Sequence, residues 1–190
     1  MLEYLDSIDK QLFLWLNSFH SPFWDGIMKF ISGKIEWAPL YAIILAVLIY
    51  RFRMKALYII PAIILTILLA DRLSVLAFKE VVCRLRPSHA PDITPLVHIV
   101  DGYRGGSYGF VSSHAANSFG LATVLAFIFR NKYFNIFIFF WAALVSYSRI
   151  YLGVHYPGDI LGGALLGAAC GSFSAWLLFY LNHKFKFKIE

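Results

Sequence analysis

Ser148-Arg149-Ile150-Tyr151-Leu152-Gly153-Val154-His155-Tyr156-Pro157-Gly158-Asp159 is a short polar bridge between two long apolar runs. It places a cation, an imidazole and a carboxylate where one membrane-length segment ends and the next begins. His155 and Asp159 are four residues apart, so a helical turn stacks them on one face. A carboxylate in that place can hold an imidazole in one tautomer and stabilise the cation it becomes. Arg149 adds a fixed, planar set of donors suited to phosphate oxygens. Taken alone, a His–Asp pair at a helix start is more often a cap than a catalyst, and the rest of the chain decides between the two.

The 190 residues are the length of one domain, 1–190. Its composition is 59% hydrophobic and only 15% charged, against roughly 25% charged for soluble domains. Several apolar runs are long enough to cross a bilayer. These features predict an all-α integral membrane bundle of about five transmembrane helices, preceded by interfacial amphipathic helices. The formal charge of +6 is not gathered on one soluble face, which excludes a nucleic-acid partner; the basic residues sit in the turns between apolar runs. That pattern sets topology and fits an anionic lipid substrate within a membrane of lipids. Cys83 and Cys170 lie in unlike surroundings and are expected to be free thiols, and no Cys/His spacing resembles a zinc site. Nothing in the sequence specifies an oligomer.

Residues 1–35 read as a pair of short interfacial helices. Leu5, Ile8, Leu12, Trp15, Leu16 and Phe19 recur at helical spacing, His20-Ser21-Pro22 breaks the pattern, and Pro22 suits the first turn of a second helix. Met1 to Lys10 is acidic and no apolar core follows it directly, so no cleavable signal peptide is expected. The transmembrane bundle covers 36–182, with spans at about 37–50, 56–78, 112–129, 133–148 and 157–181. An outer loop, 79–111, carries Pro87, Pro91, Pro95, Gly102, Gly105, Gly106 and Gly109. A basic tail occupies 183–190. With five spans, Arg51–Lys55, Arg130–Lys132 and the tail share one side, which the positive-inside rule makes cytoplasmic. The N-terminal helices, the outer loop and the 149–156 bridge then face outward together.

Two more polar islands lie on that outer side. Lys79-Glu80-Val81-Val82-Cys83-Arg84-Leu85-Arg86-Pro87 holds cations that could face a common anion, although Arg84 is expected to snorkel at the interface. Gly109-Phe110-Val111-Ser112-Ser113-His114 leads into a helix. Ser112 is a natural N-cap, the free N–H groups behind it form an anion site, and His114 stands in the first turn. Asp71 and Arg72, inside a span, should face protein or water; Arg72, seven residues before Lys79, shares its helix face, and Asn117 is a candidate partner for the pair. Gly163, Gly167 and Gly171 permit close helix packing inside the bundle.

Together, Lys79-x6-Arg86-Pro87, Ser112-Ser113-His114 and Ser148-Arg149-x5-His155-x3-Asp159 resemble the signature of the type 2 phosphatidic acid phosphatase family. The resemblance covers about residues 56–181. Many members read Pro-Ser-Gly-His where this chain has Val111-Ser112-Ser113-His114, and many have six spans. The resemblance implies a metal-independent lipid phosphate or diphosphate phosphatase without cofactors, and the small size and topology suit a bacterial inner membrane with the site on its outer, periplasmic face. His155 is then the nucleophile that forms a phosphohistidine, Asp159 its partner, and His114 the general acid. Lys79, Arg86, Ser112, Ser113 and Arg149 hold the phosphoryl oxygens. Undecaprenyl diphosphate, phosphatidylglycerol phosphate, phosphatidic acid and lipid A phosphate are all candidate substrates. A phosphotransferase would use the same histidine with an alcohol in place of water. A transporter or lipid-binding protein would show an inverted repeat or a half-helix pair at mid-membrane, and neither is evident.

Overall fold

The structure, a computed structural model, describes residues 2–186. Two short helices come first: α1, Leu2–Asn17, and α2, Pro22–Ser32, with Pro22 in the first turn behind an extended Ser21. Helices α3, Ala38–Phe52, and α4, Ala56–Leu73, form an apolar hairpin. Helix α4 continues through a π-helical turn, Ser74–Lys79, to Val82, and Cys83 turns the chain out with left-handed backbone. After an irregular loop come α5, Ser113–Phe129, α6, Lys132–Tyr151, and α7, Pro157–Phe185. The protein is thus an integral membrane helical bundle. Ile35–Val82, Lys132–Tyr151 and Pro157–Phe185 have the length and apolarity to cross a bilayer, and Ser113–Phe129 is a shorter apolar helix among them.

Helix α5 lies at the centre, packed on α4, α6 and α7. Glycines set its distance from α7. A Cβ on Gly167 would stand 2.2 Å from the Ala116 carbonyl oxygen, and one on Gly171 would stand 2.6 Å from that of Gly120. Backbones that approach this closely make up for the lack of a hydrophobic drive between helices in lipid. The core around this contact is apolar, with Ile59, Leu125, Ile138 and Ala142 buried.

The polar segments sort to opposite ends of the bundle. At one end Arg51 lies over the rings of Phe52 and Phe129, and Arg130 over that of Phe179, which brings the basic turns together. At the other end α1 and α2 pack against α6, and α1 also reaches α7. With 16 and 11 residues, these two helices are shorter than the roughly 20 residues needed to cross. The inward face of α1 is mixed, with Phe13, Leu14 and Leu16 packed beside the polar Asn17. Phe13 and Asn17 are buried, while Leu5, Ile8, Leu12, Trp15 and Phe19 are exposed, as suits a helix at a lipid surface. The Asn17 side-chain amide donates to the carbonyls of Ile150 and Tyr151 at 3.1 and 2.9 Å, and its oxygen accepts from the His98 N–H at 2.8 Å.

Two details differ from the sequence expectations. Arg72 is exposed and does not share the face of Lys79, because the wider π-helical turn between them rotates Lys79 out of α-helical register. Helix α7 continues to Phe185, so the start of the basic tail is helical; Phe187 and Lys188 lie outside the described residues.

Gly167→Ala should destabilise the fold by about 1–3 kcal/mol through overpacking against Ala116. Thermal unfolding in detergent should show a lowered midpoint, while Gly106→Ala, which meets nothing within 4 Å, should leave it near the parent value.

Candidate active site

The bridge between α6 and α7 folds so that Tyr156 caps α7 and Asp159 stands in its first turn. The Asp159 carboxylate reaches back to accept the Tyr156 N–H at 3.0 Å, and the same oxygen faces Nδ1 of His155 at 3.2 Å. Capping and holding the imidazole are therefore done by one carboxylate. With Nδ1–H turned to Asp159, the lone pair falls on Nε2. His155 is 1% exposed and Asp159 0%. Burial, with the positive charges of Arg86, Arg149 and Lys79, holds the imidazole well below its ordinary pKa of 6.5.

Those cations arrive from separate elements. The π-helical turn delivers Lys79, whose Nζ donates to Ser113 Oγ at 2.6 Å, and Ser113 Oγ also meets Ser74 Oγ at 2.7 Å. Arg86 follows a short antiparallel bridge between Leu85 and Tyr108, and its Nε donates to the Tyr108 carbonyl at 3.0 Å. Gly105 and Gly109 make room for it: at φ +68, a Cβ on Gly105 would lie 2.2 Å from Arg86 Nη1. A Cβ on Gly109 would lie 2.7 Å from Asp159 Oδ2, which joins the two groups across one glycine. Arg149, 3% exposed, donates from Nη1 to Ser32 Oγ and from Nη2 to the Tyr103 hydroxyl at 3.2 Å. Arg86 Nη1 and Arg149 Nε are buried and have no hydrogen-bond partner among the described residues. Such donors are costly to leave unpaired, so they mark where an anion's oxygens belong.

The start of α5 closes the site. Ser112 is its N-cap, accepting the Ala115 N–H at 3.4 Å, and its own N–H donates to the Asp159 carbonyl at 3.0 Å. That bond ties the first turns of α5 and α7 together. His114 is half-buried in the first turn of α5 and lines a cavity of about 560 Å³ with Ser113, Asn117 and Asp71. Beyond these polar groups the cavity runs between apolar side chains of α3, α4, α5 and α6, among them Ile44, Leu48, Ile63, Ile67 and Leu121. Asp71 accepts a bond from Asn117 at 3.4 Å. All eight residues singled out in the sequence, His155, Asp159, His114, Lys79, Arg86, Ser112, Ser113 and Arg149, stand at this end of the bundle.

Arg84 corrects the sequence expectation. It does not snorkel; its Nη1 donates to Asp159 Oδ1 at 3.2 Å and to Asp9 Oδ2 at 2.8 Å, and its Nη2 to Asp6 Oδ1 at 2.8 Å. Ser32, Asp6 and Asp9 had no local signal, because each belongs to a helix far away in sequence from the group it holds. Cys83 and Cys170 are free thiols. Among the described residues no group of three His, Cys, Asp or Glu side chains could hold a metal ion.

The sequence profile of the PAP2 superfamily matches residues 55–183. Over its whole length the chain is 47% identical to a lipid A 4'-phosphatase of Bacteroides thetaiotaomicron, and it covers 84% of that relative. Its fold is similar to the crystal structure of Aquifex aeolicus LpxE, with a TM-score of 0.60 and 28% identity over 86% of this chain and 92% of that one. It is also similar to a transmembrane PAP2-type phosphatidylglycerolphosphate phosphatase from Bacillus subtilis. There the TM-score is 0.66 and the identity 26%, over 95% of this chain and 87% of that one.

The low pKa of His155 has a signed consequence for stability. Its folded value lies below the unfolded one, so the contribution is full above pH 6.5 and is lost as pH falls below it. In His155→Gln the decline of the melting midpoint on acidification should be shallower than in the parent protein.

Proposed function

The chain belongs to the PAP2 superfamily and is a membrane lipid phosphatase; we propose that it is a single domain, residues 1–190, that hydrolyses the 4'-phosphate of lipid A through a phosphohistidine, without a metal. The observation that carries the mechanism is the buried His155–Asp159 pair beside two buried guanidinium nitrogens that have no partner among the described residues. A phosphoryl group fits there with its oxygens toward Arg86, Arg149, Lys79, Ser113 and the first turn of α5 behind Ser112.

His155 Nε2 attacks phosphorus, a P–N bond forms and the bond to the lipid oxygen breaks. His114 gives that oxygen its proton and then takes one from water. The water attacks the phosphohistidine, the P–N bond breaks and inorganic phosphate leaves. Asp159 holds Nδ1–H throughout and balances the charge of the imidazolium side. Phosphoryl transfer needs mainly positioning and charge neutralisation, which cations and a helix start supply.

The cavity supports a lipid as substrate. Its polar end holds His114, Ser113 and Asp71, and its walls are apolar over the depth of α3 and α4. An amphiphile fits with its phosphate at the polar end and a tail along the walls. The 47% identity to a lipid A 4'-phosphatase over the whole chain favours that lipid among the candidates. The gathering of Arg51 and Arg130 at the opposite end supports a cytoplasmic position for those turns. The site then faces the periplasm from a bacterial inner membrane.

Phosphate release from lipid A, phosphatidic acid, phosphatidylglycerol phosphate and undecaprenyl diphosphate tests the proposal. Release should be greatest from lipid A, persist in EDTA, vanish in His155→Ala and fall about 10²–10⁴-fold in His114→Ala. Equal release by His155→Ala would remove the nucleophile assignment, and equal turnover of a soluble phosphate ester would remove the lipid. Filling the cavity with Ile67→Trp should raise KM for a long-chain substrate several-fold and leave a short-chain phosphate unaffected.

A further inference from the structure

The Asp159 carboxylate has one oxygen committed to the Tyr156 N–H and His155. Among the described residues, its other oxygen is hydrogen-bonded by the Arg84 side chain alone. Arg84 in turn is gripped from α1. Asp6 and Asp9 take its two terminal nitrogens, and the Tyr156 ring lies under the guanidinium at 4.0 Å. Asp9 also accepts the Gly158 N–H at 2.8 Å, one of the unpaired donors of the first turn of α7. Even the close fit is built in, since a Cβ on Gly158 would come within 2.7 Å of Asp9 Oδ2. Outward from Asp6 the alternation continues, with Lys10 bound to Asp6 at 2.7 Å and to Asp92 at 2.8 Å. Charges of alternating sign thus lead from the outer surface to His155.

We infer that Arg84 is a positioning residue for hydrolysis, and that α1 is a working part of the active centre because Asp6 and Asp9 hold Arg84 against Asp159. The inference rests on the phosphohistidine proposal for the reaction it serves. Arg84 fixes the outer oxygen of the carboxylate, so the inner one stays aimed at Nδ1–H of His155. A carboxylate free to turn about its Cβ–Cγ bond would let the imidazole swing, and Nε2 would lose its line to phosphorus. The planar fork matters as well as the charge, because one guanidinium must meet carboxylates from two helices at once. Burial opposes the positive charge of Arg84, but Asp159, Asp9 and Asp6 more than offset it and raise its pKa, so it stays ionised at any working pH.

The experiment compares Arg84→Gln, Arg84→Lys and Asp9→Asn with the parent in detergent-purified protein. Arg84→Gln should lower kcat about 10²-fold, the scale of a small misplacement of a reacting group, with KM little changed. Arg84→Lys should fall between the two, and Asp9→Asn should lose less than Arg84→Gln but in the same direction. In an Asp159→Asn background Arg84→Gln should add almost no further loss. Hydrogen exchange supplies an activity-independent arm: in Arg84→Gln and Asp9→Asn, peptides from α1 and from 155–160 should exchange faster while α4 and α5 are unchanged. A kcat within twofold of the parent, a raised KM at constant kcat, losses that multiply in the Asp159→Asn background, or faster exchange throughout the bundle would each overturn the inference. If the parent protein releases no phosphate from any lipid, the proposed reaction fails, and unchanged exchange in α1 and 155–160 then overturns the positioning role by itself.

Discussion

Gathering half-buried Lys79 with the buried Arg86 and Arg149 at the end of an apolar bundle is the constraint on which the rest of the structure depends. Like charges held close in a poorly solvated place repel and lose hydration. Each is therefore held by its own neutral partner: Ser113 for Lys79, the Tyr108 carbonyl for Arg86, and Ser32 with Tyr103 for Arg149. Those partners fix direction without cancelling charge. The carboxylate that does carry countercharge, Asp159, is occupied with His155 and Arg84, which leaves the cluster electropositive toward a dianionic phosphoryl group.

Holding such a cluster takes rigid neighbours, and the molecule obtains them through backbone proximity. The glycine contact between α5 and α7 sets both helix starts side by side, and the Ser112–Asp159 backbone bond locks them in register. Gly105 and Gly109 bring the outer loop down onto Arg86 and Asp159. The same loop is pinned on its far side by Asn17 and by His98, which faces Asp25 at 2.9 Å. Asp25 also takes the Tyr151 hydroxyl at 2.7 Å, so α2 is tied to the end of α6. The N-terminal helices are therefore fastened to the active end by polar contacts, while the bundle beneath is held by packing.

What the sequence revealed and what it hid have separate physical causes. His155 and Asp159 were legible because a single helical turn relates them, and Ser112 because capping is local chemistry. The cations and His114 became legible together, through the spacing of the three islands. Arg84 was misread because its partners Asp6 and Asp9 lie on another helix, and a lone arginine near an interface carries no sign of them. The amphipathic pattern of α1 was plain, yet pattern alone does not say which side faces the protein. The face that turns to the protein carries Asp6, Asp9 and Asn17 together with Phe13, while Leu5, Ile8, Leu12 and Trp15 are left exposed. Arg72 went astray for a geometric reason: a π-helical turn is not written in hydrophobic period, and it breaks the seven-residue relation to Lys79.

The grip of Asn17 on the end of α6 carries an electrostatic consequence. A helix's last carbonyls gather partial negative charge, and α6 ends at Tyr151, just after Arg149. The bridge takes up part of that charge itself, since Leu152, Val154 and Gly153 donate their N–H groups to the carbonyls of Ser148, Arg149 and Ile150. Asn17 adds its amide hydrogens to the Ile150 and Tyr151 oxygens and weakens the negative end further. The start of α5, by contrast, presents its positive end to the same region, while that of α7 is taken up by the Asp159 and Asp9 carboxylates. One neutral side chain on α1 thereby lessens the repulsion an anion would meet at the end of α6.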